Sequence, residues 1–129
     1  MKEFTVNRPL PPKQLHPNGG GKWPWGMIAR LKKKTRTSAR LATLEVIGLH
    51  PFHGEVKYDV HLQCYMRSAR QTSHMDENNV GHWAKADIDG IADAMGVNDK
   101  NFKSPTIEIF ADPDCHESRR LVITIRRVV

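Results

Sequence analysis

The run from Val56 to Met66 is the strongest constraint on the fold. Val56, Tyr58, Val60, Leu62, Cys64 and Met66 alternate with Lys57, Asp59, His61, Gln63 and Tyr65. A period of two puts the apolar set on one face of an extended strand and the polar set on the other. Such a strand needs neighbours to pair with and an apolar layer over one side only. Cys64 falls on the apolar side, where a thiol is an inert packing group rather than a nucleophile. His61 stands alone on the polar side, a poor starting point for a metal ligand.

Two amphipathic stretches supply the covering layer. From Gly26 to about Leu44, Ile28, Leu31, Thr35, Ala39 and Ala42 recur three and four residues apart and define a core-facing helical stripe. Lys32, Lys33, Lys34, Arg36 and Arg40 lie mostly off it. From about Asn79 to Met95 the buried stripe is Val80, Ala84, Ile88, Ile91 and Met95. His82, Lys85, Asp89 and Asp93 form the opposite, polar stripe, and Gly96 stops the helix. Shorter strands are predicted at Glu3 to Arg8, ended by Pro9, Pro11 and Pro12, at Thr106 to Phe110, and at Leu121 to Arg127. Asp112-Pro113-Asp114 between the last two predicts an antiparallel hairpin. The order β-α-β-α-β-β makes an α+β fold, one mixed sheet with two helices on one face, in a single domain over residues 1–129.

Gly19-Gly20-Gly21 marks a flexible loop, either a mobile cover for a ligand or a connector. No Gly-Lys-Ser/Thr follows, so it is not a phosphate-binding P-loop. Trp23-Pro24-Trp25 is expected to anchor that loop on the core; a stacking platform for bases is the alternative.

Charge divides the chain. Between Phe4 and Leu44 there are nine Lys or Arg and no Asp or Glu; from Glu45 to Val129 there are ten bases and thirteen acids. The first third is a cationic surface suited to a polyanion, unless it is only a solvated basic helix. Cys64 and Cys115 make neither a disulfide framework nor a zinc quartet, which points to a reducing cytoplasm. A signal-peptide pattern and an apolar run of membrane-spanning length are both missing from the sequence, so no membrane association is expected.

The chemistry is expected where a polar loop becomes a helix, at His74-Met75-Asp76-Glu77-Asn78-Asn79. A hard divalent ion such as Mg²⁺ takes oxygen ligands at about 2.0–2.1 Å and keeps several waters. Asp76 and Asn78, two apart, share a face in an extended segment, while Glu77 points away. Asp99 joins them only if the chain folds back along the helix after Gly96. The same Asp and Asn are also ordinary helix caps, and the residues leave both readings open.

The order of these motifs resembles the RusA-type Holliday junction resolvases, a family common in phages and prophages. That family carries an early Pro-Pro followed by Asn in a loop, here Pro11-Pro12 and Asn18. A strand then enters a basic loop, here Arg67 to Ser73, and an Asp-x-Asp-Asn turn, here Asp76-Glu77-Asn78-Asn79. Its helix ends in Gly followed by an acidic pair, here Gly96 and Asn98-Asp99, before an aliphatic final strand. The similarity spans nearly the whole chain, and its specificity lies in order and spacing because each motif is short.

The resemblance implies a homodimeric, Mg²⁺-dependent endonuclease, with Mn²⁺ as the alternative ion, that cleaves four-way DNA junctions in recombination and repair. It places the metal ligands at Asp76, Asn78 and Asp99. The family lysine falls on His82, with Lys85 one turn further on the same face. DNA contacts are expected at Lys13, Asn18, Lys32, Lys33, Lys34, Arg36, Arg40, Arg67 and Arg70. Two residues depart from the pattern: Asn78 stands where an Asp is expected and His82 where a Lys is. The chain is therefore an active member with ligands shifted to include Glu77 or Asp89, a weakened or inactive branched-DNA-binding member, or a variant engineered at position 78. A basic protein-interaction module is a third class, which predicts no preference for junctions over duplex.

Overall fold

The alternating segments pair into one four-stranded sheet, in the order β1-β4-β2-β3. The computed structural model describes residues 2–17, 23–52, 54–66, 77–111 and 119–128, without the side chains of Glu77 and Asn78. The elements are β1 (Glu3–Pro9), α1 (Trp25–Ile47), β2 (Tyr58–Met66), α2 (Glu77–Trp83), α3 (Lys85–Met95), β3 (Thr106–Ala111) and β4 (Arg120–Arg127). Short 3-10 turns lie at Lys13–Leu15 and Asp99–Asn101. The fold is α+β with a mixed sheet, as the sequence predicts. No described helix is long and apolar enough to cross a membrane.

The predicted hairpin between the last two strands does not form. β4 lies between β1 and β2 and is antiparallel to both, while β3 pairs parallel to β2 at the sheet edge. Burial accounts for this. Leu121, Ile123 and Ile125 are enclosed, with Phe4 and Val6 on one side and Val60, Leu62 and Cys64 on the other. β3 alternates only between exposed and half-buried positions, which suits an edge. A parallel neighbour requires a long crossover, and α2 and α3 lie in the one between β2 and β3.

α1 is longer than expected, and the predicted stripe faces inward most fully at Thr35 and Ala39. Its buried residues are Thr35, Ala39, Thr43 and Ile47, whereas Ile28, Leu31 and Ala42 are half-buried. The cause sits on α3. A Cβ at Gly90 would lie 2.2 Å from the Arg36 carbonyl oxygen and 2.8 Å from the Ala39 Cβ. The two helices therefore meet backbone to backbone, which selects small residues at the crossing. Thr43 returns its hydroxyl to the Ala39 carbonyl at 2.7 Å, satisfying a buried polar group.

The second predicted helix is interrupted at one residue. Ala84, at φ −85° and ψ 0°, separates α2 from α3, though Ala84 N donates to Val80 O and Ile88 N to Ala84 O across the break. Val80, Ala84, Ile88, Ile91 and Met95 are all buried, and so are Trp83, Ala86, Asp87 and Ala92. Gly96 ends α3 in the left-handed region at φ 72°.

Of the tryptophans expected to anchor on the core, Trp25 is 84% exposed and does not, whereas Trp23 is half-buried. Trp25 is the first residue of α1 after Pro24, and the N-terminal strap, residues 10–17 after β1, is tied down elsewhere. The Trp83 indole donates to the Pro12 carbonyl at 2.8 Å, and the His16 ring meets Trp83 edge-on at 5.4 Å. His61 is engaged on the sheet's polar face, bonded to Thr106 at 2.8 Å and Glu108 at 2.6 Å.

Candidate functional site

Lys32, Lys33, Lys34, Arg36 and Arg40 are all exposed on α1, and Lys13 is exposed on its 3-10 turn. Asn18, Arg67, Arg70 and Asp76 lie outside the described residues, as does the Asn78 side chain. Between α1, the N-terminal strap and the start of α3 lies a cavity of about 690 Å³. Leu15, Trp83 and Ala86 make it apolar below, while Lys32, Lys33, Arg36, His82 and Lys85 make its walls basic or imidazole-bearing. Asp89 is the acid at this cleft.

Lys85, the first residue of α3, joins the acids. Its Nζ donates to Asp89 Oδ1 at 2.7 Å, one helical turn on, and to Asp99 Oδ2 at 3.0 Å. Asp99 reaches this point because the chain reverses at Gly96 and is then held in a tight turn. The Asn98 side-chain oxygen accepts from the Lys100 backbone N at 2.9 Å. The chain thus folds back along α3 far enough for Asp99 to meet the Lys85 side chain, while it also lines a cleft with Asp89, Ala92 and Asp93. One turn along, Arg36 clamps Asp93 with two bonds of 2.6 and 2.8 Å, fixing the cationic helix to the acidic one. Arg36, Asp89, Asp93, Asn98 and Asp99 line a small polar cleft of about 380 Å³ there.

Protonation follows from these contacts. Partial burial pulls the Lys85 ammonium down, but its hydrogen bonds to Asp89 and Asp99 outweigh that and leave it above its ordinary value. The bond to Lys85 lowers Asp99 below the usual carboxylate range. The Arg36 bond likewise lowers Asp93. Burial pushes the Cys64 thiol up to about 11, so it stays protonated and unreactive.

Asp89 and Asp99 offer hard oxygen donors, the type that Mg²⁺ and Mn²⁺ take. Among the described residues, no three His, Cys, Asp or Glu side chains are placed to hold an ion. Asp89 and Asp99 converge on the ammonium of Lys85, which stands between their oxygens, and Asp76 lies outside the described residues.

Among the charged pairs that sequence reasoning missed, one is buried. Arg8 Nε donates to Asp87 Oδ1 at 2.8 Å, with the side chains 9% and 1% exposed. Burial raises Asp87 above its ordinary value despite Arg8. Asp87 follows Ala84 by three residues and precedes Ile91 by four, so helical spacing already put it on the buried stripe. No protein-family model matches the chain, and no curated protein matches it.

Proposed function

We propose that the chain is a Mg²⁺-dependent, or Mn²⁺-dependent, endonuclease for branched DNA that cuts four-way junctions as a homodimer in the bacterial cytosol, like the RusA-type resolvases it resembles. The observation that carries the reading is the meeting of Asp89 and Asp99 on Lys85, whose side chain lines a cleft walled by Lys32, Lys33 and Arg36. An acid set and a phosphate-attracting wall at one place are the two parts that metal-assisted phosphodiester hydrolysis needs.

Asp76, Asn78 and Asp99 would hold the ion, with Asp89 beside them; when bound, it supplies an activated water and offsets charge on the phosphate. The chain's own residues do the rest. Lys85, kept protonated by two carboxylates, offers its ammonium to a phosphate oxygen as charge builds there. His82, exposed and lining the same cleft, is a second donor. Lys32, Lys33 and Arg36 grip backbone phosphates, which favours recognition of shape over sequence. The apolar floor at Leu15 and Trp83 excludes water below them.

One observation favours a non-catalytic branched-DNA-binding protein instead. Lys85 already neutralises Asp89 and Asp99, and Asn78 is an amide where the family has a carboxylate. A labelled four-way junction incubated with and without Mg²⁺, then run on a denaturing gel, separates the readings. The nuclease gives symmetric cuts only with the ion, and Asn78→Asp cuts at lower Mg²⁺. A bound but uncut junction, with Asn78→Asp no better, leaves the binding reading. Equal affinity for junction and duplex ends both.

A further inference from the structure

Among the described residues, four large apolar side chains stand in solvent: Trp25, Leu41, Val46 and Leu49. Leu41, Val46 and Leu49 lie toward the C-terminal end of α1, around Glu45, the acid on that helix. Trp25 is alone at the cationic end. Singly exposed apolar side chains are ordinary on a protein surface. What sets Trp25 apart is the company on its side of the helix. Residues 25, 29, 32 and 36 are four, three and four apart, so Trp25, Ala29, Lys32 and Arg36 form one stripe. All four are exposed, and Lys32 and Arg36 wall the basic cleft. At 1.5 Å per residue, Lys32 and Arg36 stand about 6 Å apart along the axis, and Trp25 about 10 Å beyond Lys32. The stripe runs from the cleft to an aromatic ring at its end.

The backbone holds that ring out. Pro24 caps α1, and its carbonyl accepts from Met27 N at 3.0 Å and from Ile28 N at 3.2 Å. Trp25 therefore belongs to a closed helical turn, and its backbone is ordered before a ligand arrives. An indole face in line with cations selects its partner by chemistry. A membrane-binding helix presents a broad apolar face, whereas the inward row of α1, Thr35, Ala39, Thr43 and Ile47, is buried in the fold. Duplex DNA offers phosphates but keeps its base faces stacked on one another. Unpaired DNA offers both phosphates for the cations and open base faces for the indole. Stacking asks only for an accessible ring face, which every base can meet.

We propose that Trp25 is a stacking platform for an unpaired base, set at the end of a backbone track made by Lys32 and Arg36. The proposal rests on the DNA reading above. It gives that reading a reason to favour branched over fully paired DNA, because a base that is already unpaired leaves the stack most readily.

The test follows the indole N–H resonances of the ¹⁵N-labelled protein, that of Trp25 being the one missing from Trp25→Phe. The titrants are an oligothymidylate, an abasic oligodeoxynucleotide of the same length, and phosphatidylglycerol vesicles. The expected result is a saturable shift of the Trp25 resonance with the oligothymidylate and a much smaller one with the abasic strand. Equal shifts with both strands reduce the contact to the backbone and overturn the proposal, as does no shift with either. A shift with the vesicles alone makes Trp25 a membrane anchor and overturns it too. Affinity gives a second reading. Trp25→Ala should weaken single-strand binding by about five- to 150-fold, the span of base–aromatic stacking, and Trp25→Phe should keep most of the affinity. The slope of log K against log [salt] should stay the same in Trp25→Ala and fall by about 0.7 in Lys32→Ala. Equal losses in the Ala and Phe variants, or a slope that changes with Trp25→Ala, overturn stacking. Gel-shift with a four-way junction separates the two claims. A junction bound equally by the parent and Trp25→Ala, with the Trp25 resonance unmoved, sinks the platform and spares the DNA reading. A Trp25 shift with the single strand, and no junction binding, sinks the branched-DNA reading and spares the platform.

Discussion

Asp87 and Asp89 stand two residues apart on α3 and meet opposite circumstances. Asp87 is 1% exposed and held by a single bond to Arg8, itself buried. Asp89 bonds to Lys85, which is 56% exposed and shared with Asp99. Burial makes the first pair expensive to break, because a lone charge is left in an apolar interior. Solvent screens the second, so its partners exchange at little expense. The buried pair therefore fixes the position of α3, and the exposed cluster is the one that can open to a phosphate or a cation.

Arg8→Ala is the most direct way to break this contrast. It leaves Asp87 uncompensated and should lower stability by about 3–5 kcal/mol, read as the urea unfolding midpoint with unchanged slope. Gly90→Ala comes next. The added methyl collides with the backbone of α1, and overpacking of this kind costs about 1–3 kcal/mol, checked by the same unfolding curve. Lys85→Ala should move the midpoint far less than Arg8→Ala, yet remove the Mg²⁺-dependent junction cleavage proposed for the chain. A loss of stability matching that of Arg8→Ala would erase the distinction between the two clusters.

The smallest effect is one of sign. Burial raises Asp87, so the fold favours its protonated form; that contribution is complete below the unfolded carboxylate value and is lost as pH rises through the folded one. The Arg36 bond lowers Asp93, so its contribution is present above the unfolded value and is lost as pH falls through the folded one. Between about pH 3 and about pH 7, which spans the ordinary carboxylate range, the two variants should diverge. Asp87→Asn should gain stability relative to the parent as pH rises, and Asp93→Asn should lose it. Urea titrations at stepped pH read both trends; parallel trends would mean that Asp87 is not titrating in a buried site.

Alternation and helical spacing carried the fold class because both are local. Val60, Leu62 and Cys64 face the core as their period demands, and Val80, Ala84, Ile88, Ile91 and Met95 do the same on the helices. Strand order is not local. The hairpin expected at Asp112-Pro113-Asp114 yields to burial of Leu121, Ile123 and Ile125 between two neighbours, which no turn motif encodes. On α1 the expected stripe holds at Thr35 and Ala39, but the shift of its buried end to Thr43 and Ile47 depends on the close approach at Gly90, which lies on another helix. At the site, Lys85, Asp89 and Asp99 were all visible as chemistry, but the reversal at Gly96 that joins them was visible only as a possibility. Arg8 counted merely as one of nine cations, since its partner lies 79 residues away.

The absence of a side chain at Gly90 has a further consequence. Where α1 and α3 cross, the glycine at position 90 and the small Ala39 opposite it let the two backbones set the separation. The crossing acts as a hard stop. Surface charges on either helix can then be exchanged, by mutation or over generations, without altering the gap across which Arg36 faces Asp93. The surface chemistry is free to drift while the ruler that spaces it stays the same length.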